Sequence, residues 1–287
     1  MIPILGGLGA AVAFAVSTLA SARASRLVGG PSTLAGVMAI GLGGALPFAL
    51  FASPPPDLGG DALPWAALAG TGNVIGLLLT YSAYRIGAVG IIATIVSTEG
   101  ALAALISVLA GEALVPGSGP ALALVALGVT LAAVGGGQEV EEGVRIPRER
   151  SLRAAGLALA AALAFGIGLY ATGRVSDLLP AAWAILPPRI VGVLVVAIPL
   201  ALAGRIRITR AALPFVVATG LAEIVGYGSY VTGAREGIAV ASVLASMFAP
   251  MATLAAFVLF RERLGPRQLA GIVLVVAGIA ILGALQG

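Results

Sequence analysis

The sequence predicts an all-α polytopic membrane protein: ten transmembrane helices in two inverted five-helix repeats around a central cavity. Three observations predict it. The 287-residue chain is 60% hydrophobic and 10% charged, with mean hydropathy +1.10, whereas a soluble domain carries about 25% charged residues. Charge-poor runs near the ~20 residues that cross a bilayer lie at roughly 2–22, 32–52, 64–84, 88–110, 119–137, 153–173, 180–203, 212–233, 238–260 and 267–285. The chain also repeats itself at an offset of 150: Pro64, Gly70, Gly76, Arg85, Gly87, Glu112 and Leu114 return as Pro214, Gly220, Gly226, Arg235, Gly237, Glu262 and Leu264. Phe14 and Arg23 return as Phe165 and Arg174, and Gly128 and Gly135 as Gly271 and Gly278. Each half holds five spans. Five is odd, so the second half must enter the bilayer from the opposite face.

The spans follow in order. Span one ends near Ala20-Ser21-Ala22, which resembles a signal-peptide cleavage site. No basic region precedes it and span six is its repeat mate, so it is read as a retained helix. Pro54-Pro55-Pro56-Asp57 closes span two, and Pro64 opens span three with Trp65 as an interfacial anchor. Span four carries Ser97, Thr98, Glu99 and Gly100, and Pro116-Gly117-Ser118-Gly119 separates it from span five. The polar stretch 138–152 is the expected linker between a first repeat, 1–137, and a second, 153–287. In span seven, Trp183 is a second anchor and Pro187-Pro188 predicts a kink just before Arg189, because proline removes backbone donors and restricts the residue ahead of it. Span eight carries Glu223, Tyr227 and Tyr230, span nine Ser242, Ser246 and Thr253, and Gly265-Pro266 opens the last.

Composition excludes several chemistries. With no cysteine there is no disulfide, iron–sulfur cluster or thiolate zinc site, and with no histidine the commonest metal ligand and proton shuttle are missing. No cofactor, metal or catalytic residue is expected, and an enzyme is disfavoured for want of a nucleophile or a dense acidic cluster. The sequence pI near 10.1 comes from arginines in short loops and reads as membrane orientation, not nucleic-acid binding. Arg23, Arg26, Arg85, Arg145, Arg148, Arg150, Arg153, Arg205, Arg207, Arg210, Arg261, Arg263 and Arg267 fall in odd-numbered loops; only Arg174 and Arg235 fall on the other face. The positive-inside rule then places the odd loops in the cytoplasm and both termini outside.

The run from Ile238 to Leu282 resembles the EamA family of the drug/metabolite transporter superfamily. Ala239 to Ser242, Pro250, Arg261-Glu262-Arg263-Leu264, Gly271 and Gly278 carry the likeness, and Gly111-Glu112-Ala113-Leu114 repeats the turn in the first half, where Gly100 stands at the proline position. The resemblance covers both halves. It implies a cavity lined by the first four helices of each half, with each fifth helix peripheral, and it implies cytoplasmic termini, opposite to the arginine bias. The family moves amino acids, metabolites, sugars and drugs, so it fixes no substrate.

Charges within a span cost about 2.5–3.5 kcal/mol at its centre, so Glu99, Arg189 and Glu223 are candidate functional groups. Glu223, Tyr227 and Tyr230 share a helix face at i, i+4, i+7. Their repeat mates are Asn73, Leu77 and Thr80, extended by Tyr84. These two stripes are expected to meet across the cavity, where a carboxylate takes a proton or an ammonium group and tyrosine rings grip apolar or cationic parts. Arg189 is expected either to orient a substrate carboxylate or to neutralise Glu223. Glu99 either exchanges a proton or makes a structural hydrogen bond, and Ser246 either lines the cavity or joins helices. The expected substrate-binding set is therefore Glu223, Tyr227, Tyr230, Arg189, Asn73, Thr80, Tyr84, Glu99 and Ser246.

The functional expectation is a secondary transporter of small organic solutes, amino acids or related metabolites, working by alternating access and coupled to protons, with export favoured. The alternative is a channel-like or scaffold membrane protein. Expected partners are the lipid bilayer of a bacterial inner membrane, a small-molecule substrate and protons. Two fused halves remove the need for a dimer.

Overall fold

The computed structural model describes residues 1–57, 59–87, 89–136, 148–252 and 266–286. It is all-helical, 83% helix with no strand among the described residues. The first half contains α1 (Ile2–Val28), α2 (Gly30–Ala52), α3 (Ala62–Tyr84), α4 (Val89–Val96), α5 (Glu99–Leu109) and α6 (Ser118–Gly136). The second contains α7 (Arg148–Leu178), α8 (Ala181–Ala184), α9 (Pro187–Gly192), a π-helical turn (Val193–Ala197), α10 (Ile198–Leu202), α11 (Leu213–Ala234), α12 (Ile238–Ala245) and α13 (Pro266–Gln286). Helix resumes after α12 over 248–252. The Arg261 to Leu264 turn, Thr253 and linker residues 138–147 lie outside the described residues.

Among the described residues, six stretches are long and apolar enough to cross a membrane: Ile2–Val28, Gly30–Ala52, Ala62–Tyr84, Glu149–Leu178, Ala181–Leu202 and Leu213–Ala234. The protein is a multi-pass membrane protein. Large apolar side chains such as Leu5, Phe51, Leu109, Val195 and Leu202 point outward, as a lipid-facing surface requires.

The expected spans four and nine are not continuous rods. Span four breaks at Ser97-Thr98 and span nine at Ser246-Met247. Near each break a hydroxyl competes for a helical carbonyl: Thr98 Oγ1 donates to Ile95 O at 2.8 Å, and Ser246 Oγ to Val243 O at 2.7 Å. Span seven breaks ahead of Pro187, as the proline pair predicts, and is further unwound by the π turn that begins at Val193. Two boundaries move outward. α1 continues to Val28 before Gly29 ends it at φ +86°. α7 starts at Arg148, inside the segment expected to be linker, where exposed Glu149 and Arg153 pair at 2.6 Å.

The helices pack in reciprocal pairs: α1 on α11, α3 on α7, and α6 on α13. Small residues let the backbones approach, the usual solution in lipid where hydrophobicity does not drive association. Phe14 of α1 lies against Gly226 of α11, and its repeat mate Phe165 of α7 lies against Gly76 of α3. Gly128 of α6 meets Gly271 of α13, its own counterpart. Gly100, at the start of α5, touches the Ser242 carbonyl and the Ser246 side chain, so the two broken spans cross at their breaks.

Candidate functional site

A cavity of about 50 Å³ sits where α1, α3, α7 and α11 meet the breaks in spans four and nine. By the ~10–15 Å³ needed per water centre, it holds a handful of waters. Each wall follows from helical spacing. α1 contributes Phe14, Ser17, Thr18 and Ser21; α3 contributes Asn73, Leu77, Thr80, Tyr81 and Tyr84; α7 contributes Phe165 and Leu169. α11 supplies Glu223 and Tyr227, one turn apart. Val96 and Glu99 enter from either side of the Ser97-Thr98 break, and Phe248 from just beyond the other break.

The two polar stripes meet. Asn73 Nδ2 donates to Tyr227 Oη at 2.5 Å, and the Tyr227 ring takes the edge of Phe14 at 5.6 Å between centroids. Ser17 Oγ donates to Glu223 Oε1 at 2.8 Å. Asn73 Oδ1 and Thr80 Oγ1 are buried without a hydrogen-bond partner among the described residues. Unsatisfied buried polar atoms are costly; the Asn73 amide oxygen can only accept, whereas the Thr80 hydroxyl can donate or accept.

Arg189 stands behind this wall and does not line the cavity. Its Nη2 donates to the Glu223 main-chain oxygen at 3.0 Å and faces Oε2 at 3.5 Å. Its guanidinium carbon lies 4.9 Å over the Tyr227 ring. Side-chain exposure of 1% for Arg189 and 6% for Glu223 makes this a buried ion pair. Arg189 is the repeat mate of Met38. Each rests on the other half's glycine, Arg189 on Gly41 and Met38 on Gly192, and the two touch, Nη1 to Sδ at 4.0 Å.

Of the expected set, Asn73, Thr80, Tyr84, Glu99, Glu223 and Tyr227 line the cavity. Arg189, Tyr230 and Ser246 are buried beside it. Tyr230 Oη reaches Leu169 O at 2.8 Å and Ser242 Oγ at 2.9 Å, tying α11 to α7 and α12. Ser246 bonds within its own turn. The sequence reading missed Ser17, Thr18, Ser21 and Tyr81. Their signal was present as hydroxyls recurring at helical spacing in an otherwise apolar span. In the sequence Phe14 and Phe165 stand out only as repeat markers.

The tryptophans sit at helix starts, half-buried. Trp65 packs its ring edge-on to Tyr170 at 5.7 Å and lies under Arg174, while Trp183 Nε1 donates to Ser53 O at 3.3 Å.

Comparison with known proteins adds three findings. Residues 152–284 match the model of the EamA-like transporter family. No curated protein matches the chain. A solved structure, described only as the crystal structure of a protein, superposes with a TM-score of 0.72 over 99% of this chain and 96% of its own, at 19% identity. That identity shows a shared fold alone.

Proposed function

Taking residues 152–284 as an EamA-like transporter unit, we propose that the chain is a secondary carrier of small organic solutes. Its two five-helix halves, 1–137 and 153–287, lie inverted in the membrane and rock about the central cavity, opening it to each face in turn. The cavity itself carries this reading: Glu99 and Glu223 face one shared space inside an apolar bundle, where ionisable groups are costly without a task. The reciprocal packing of Phe14 on Gly226 and Phe165 on Gly76 supports two equivalent halves able to trade places. One of the two glutamates exchanges a proton as solute binds and leaves. Amino acids and related metabolites are the expected cargo.

Counterflow in proteoliposomes tests this reading. A carrier preloaded with unlabelled amino acid accelerates entry of the labelled one; a channel or scaffold does not. Transport and its pH dependence both unchanged in Glu99→Gln and Glu223→Gln would remove the proton step.

A further inference from the structure

We infer that the cavity takes a small organic monocation, an amine with an apolar tail and no carboxylate, and that Glu99 is its charge partner. The inference deepens the carrier reading and rests on it. It starts from a charge inventory. The lining contains two carboxylates and no cation. Glu223 is already answered on both oxygens, by Ser17 on Oε1 and by Arg189 on Oε2. Glu99, 6% exposed, has no hydrogen-bond or ion-pair partner among the described residues. Arg189, the basic group beside the wall, is held by Glu223 and by the Tyr227 ring. Wall and backing together therefore carry one uncompensated negative charge when both carboxyls are ionised. A guest with one positive charge balances it; a buried anion would add a second uncompensated negative charge beside Glu99. Arg189 is already engaged by Glu223, and among the described residues only its Nε and the Thr80 and Tyr81 hydroxyls are left to donate.

The rest of the lining suits the same guest. Phe14, Tyr81, Tyr84, Phe165, Tyr227 and Phe248 surround the space, six of only fifteen aromatic residues in the chain. Ring faces attract an ammonium group once water is excluded. Asn73 Oδ1, without a partner among the described residues, can only accept, which suits the N–H donors that a primary amine brings and a carboxylate lacks; the unpartnered Thr80 hydroxyl can accept from the same amine. The volume of about 50 Å³ favours a guest of few heavy atoms, with helix movement admitting longer tails.

The test is a matched trio on the purified full-length protein: n-butylamine, norvaline and valerate, which share a short alkyl tail and differ in charge. Calorimetry at pH 7 should give butylamine an affinity at least tenfold above both others, and Glu99→Gln should lose at least tenfold of it. Comparable or tighter binding of norvaline or valerate overturns the assignment, as does the absence of butylamine binding. Butylamine affinity within twofold in Glu99→Gln, with unchanged melting, overturns the role of Glu99. The trio on the unaltered protein needs no variant to fold. Counterflow of n-propylguanidinium, which stays charged at neutral pH and keeps N–H donors, separates the two claims. Amine binding through Glu99 without counterflow supports the charge assignment and sinks the carrier. Counterflow of norvaline without amine binding does the reverse.

Discussion

At the scale of single residues, the informative contrast is between Met38 and Arg189, which occupy equivalent places in the two halves. One half has kept an apolar side chain there, and the other has inserted a guanidinium whose charge must be met. Glu223 meets it, while its own repeat mate is neutral Asn73. Breaking a buried pair from one side costs about 3–5 kcal/mol, whereas replacing both partners is often neutral. We therefore expect Arg189→Met and Glu223→Asn each to lower the melting temperature strongly in detergent. The double variant, which restores the first half's own residues, should recover most of the loss; additive effects would contradict the pairing. Glu112 offers a second residue-scale test, outside the spans. It accepts the Ala239 N–H at 3.1 Å and the Ser107 hydroxyl. Burial, opposed by the main-chain hydrogen bonds, raises its carboxyl above the ordinary value. A carboxyl raised on folding favours the native state at low pH, a contribution lost as pH rises through the folded value. The melting temperature should thus fall, as pH rises above the ordinary carboxylate range, more in the native protein than in Glu112→Gln, which keeps an acceptor for Ala239.

At the scale of elements, glycine placement sets which helix faces touch. A Cβ on Gly76 or Gly226 would push into Phe165 or Phe14, while one on Gly228 would meet nothing. Gly76→Ala and Gly226→Ala should each destabilise by about 1–3 kcal/mol through overpacking. Gly228→Ala should be neutral or stabilising by up to about 1 kcal/mol, since alanine is the better helix former. Equal losses at Gly76 and Gly226, read by thermal melting, would support equivalent contacts in the two halves. The breaks in spans four and nine were only partly legible. Ser97, Thr98 and Ser246 were visible as polar residues within apolar runs, but hydroxyls are also tolerated inside helices by bonding back to a carbonyl. The crossing at Gly100 against Ser242 and Ser246 joins segments far apart in sequence, and no local pattern announces it. The proline-made break in span seven needed no such contact and was readable directly.

At the scale of the whole molecule, the arginine bias and the family resemblance predict opposite orientations, and a labelling experiment separates them. The chain has no cysteine, so single introduced thiols report topology without background. The arginine bias predicts that an impermeant maleimide labels Asp57→Cys in intact cells and labels Arg205→Cys only after the membrane is opened. The reverse pattern would place the termini in the cytoplasm, as the family resemblance implies. Sequence by itself determined the helical class, the six long spans and the polar stripes, because each is written in local hydropathy or helical period. It also marked Glu99, Glu223, Tyr227, Asn73, Thr80 and Tyr84, all of which line the cavity, since polar groups in apolar spans are conspicuous. Tertiary structure alone decided that Ser17 reaches Glu223, that Arg189 backs the wall instead of facing the space, that Tyr230 ties α11 to α7 and α12, and that Ser246 bonds within its own turn against Gly100. Helical spacing fixes the face a side chain shares with its neighbours. Which helix covers that face depends on close approach between distant glycines and rings, a property of the packed chain.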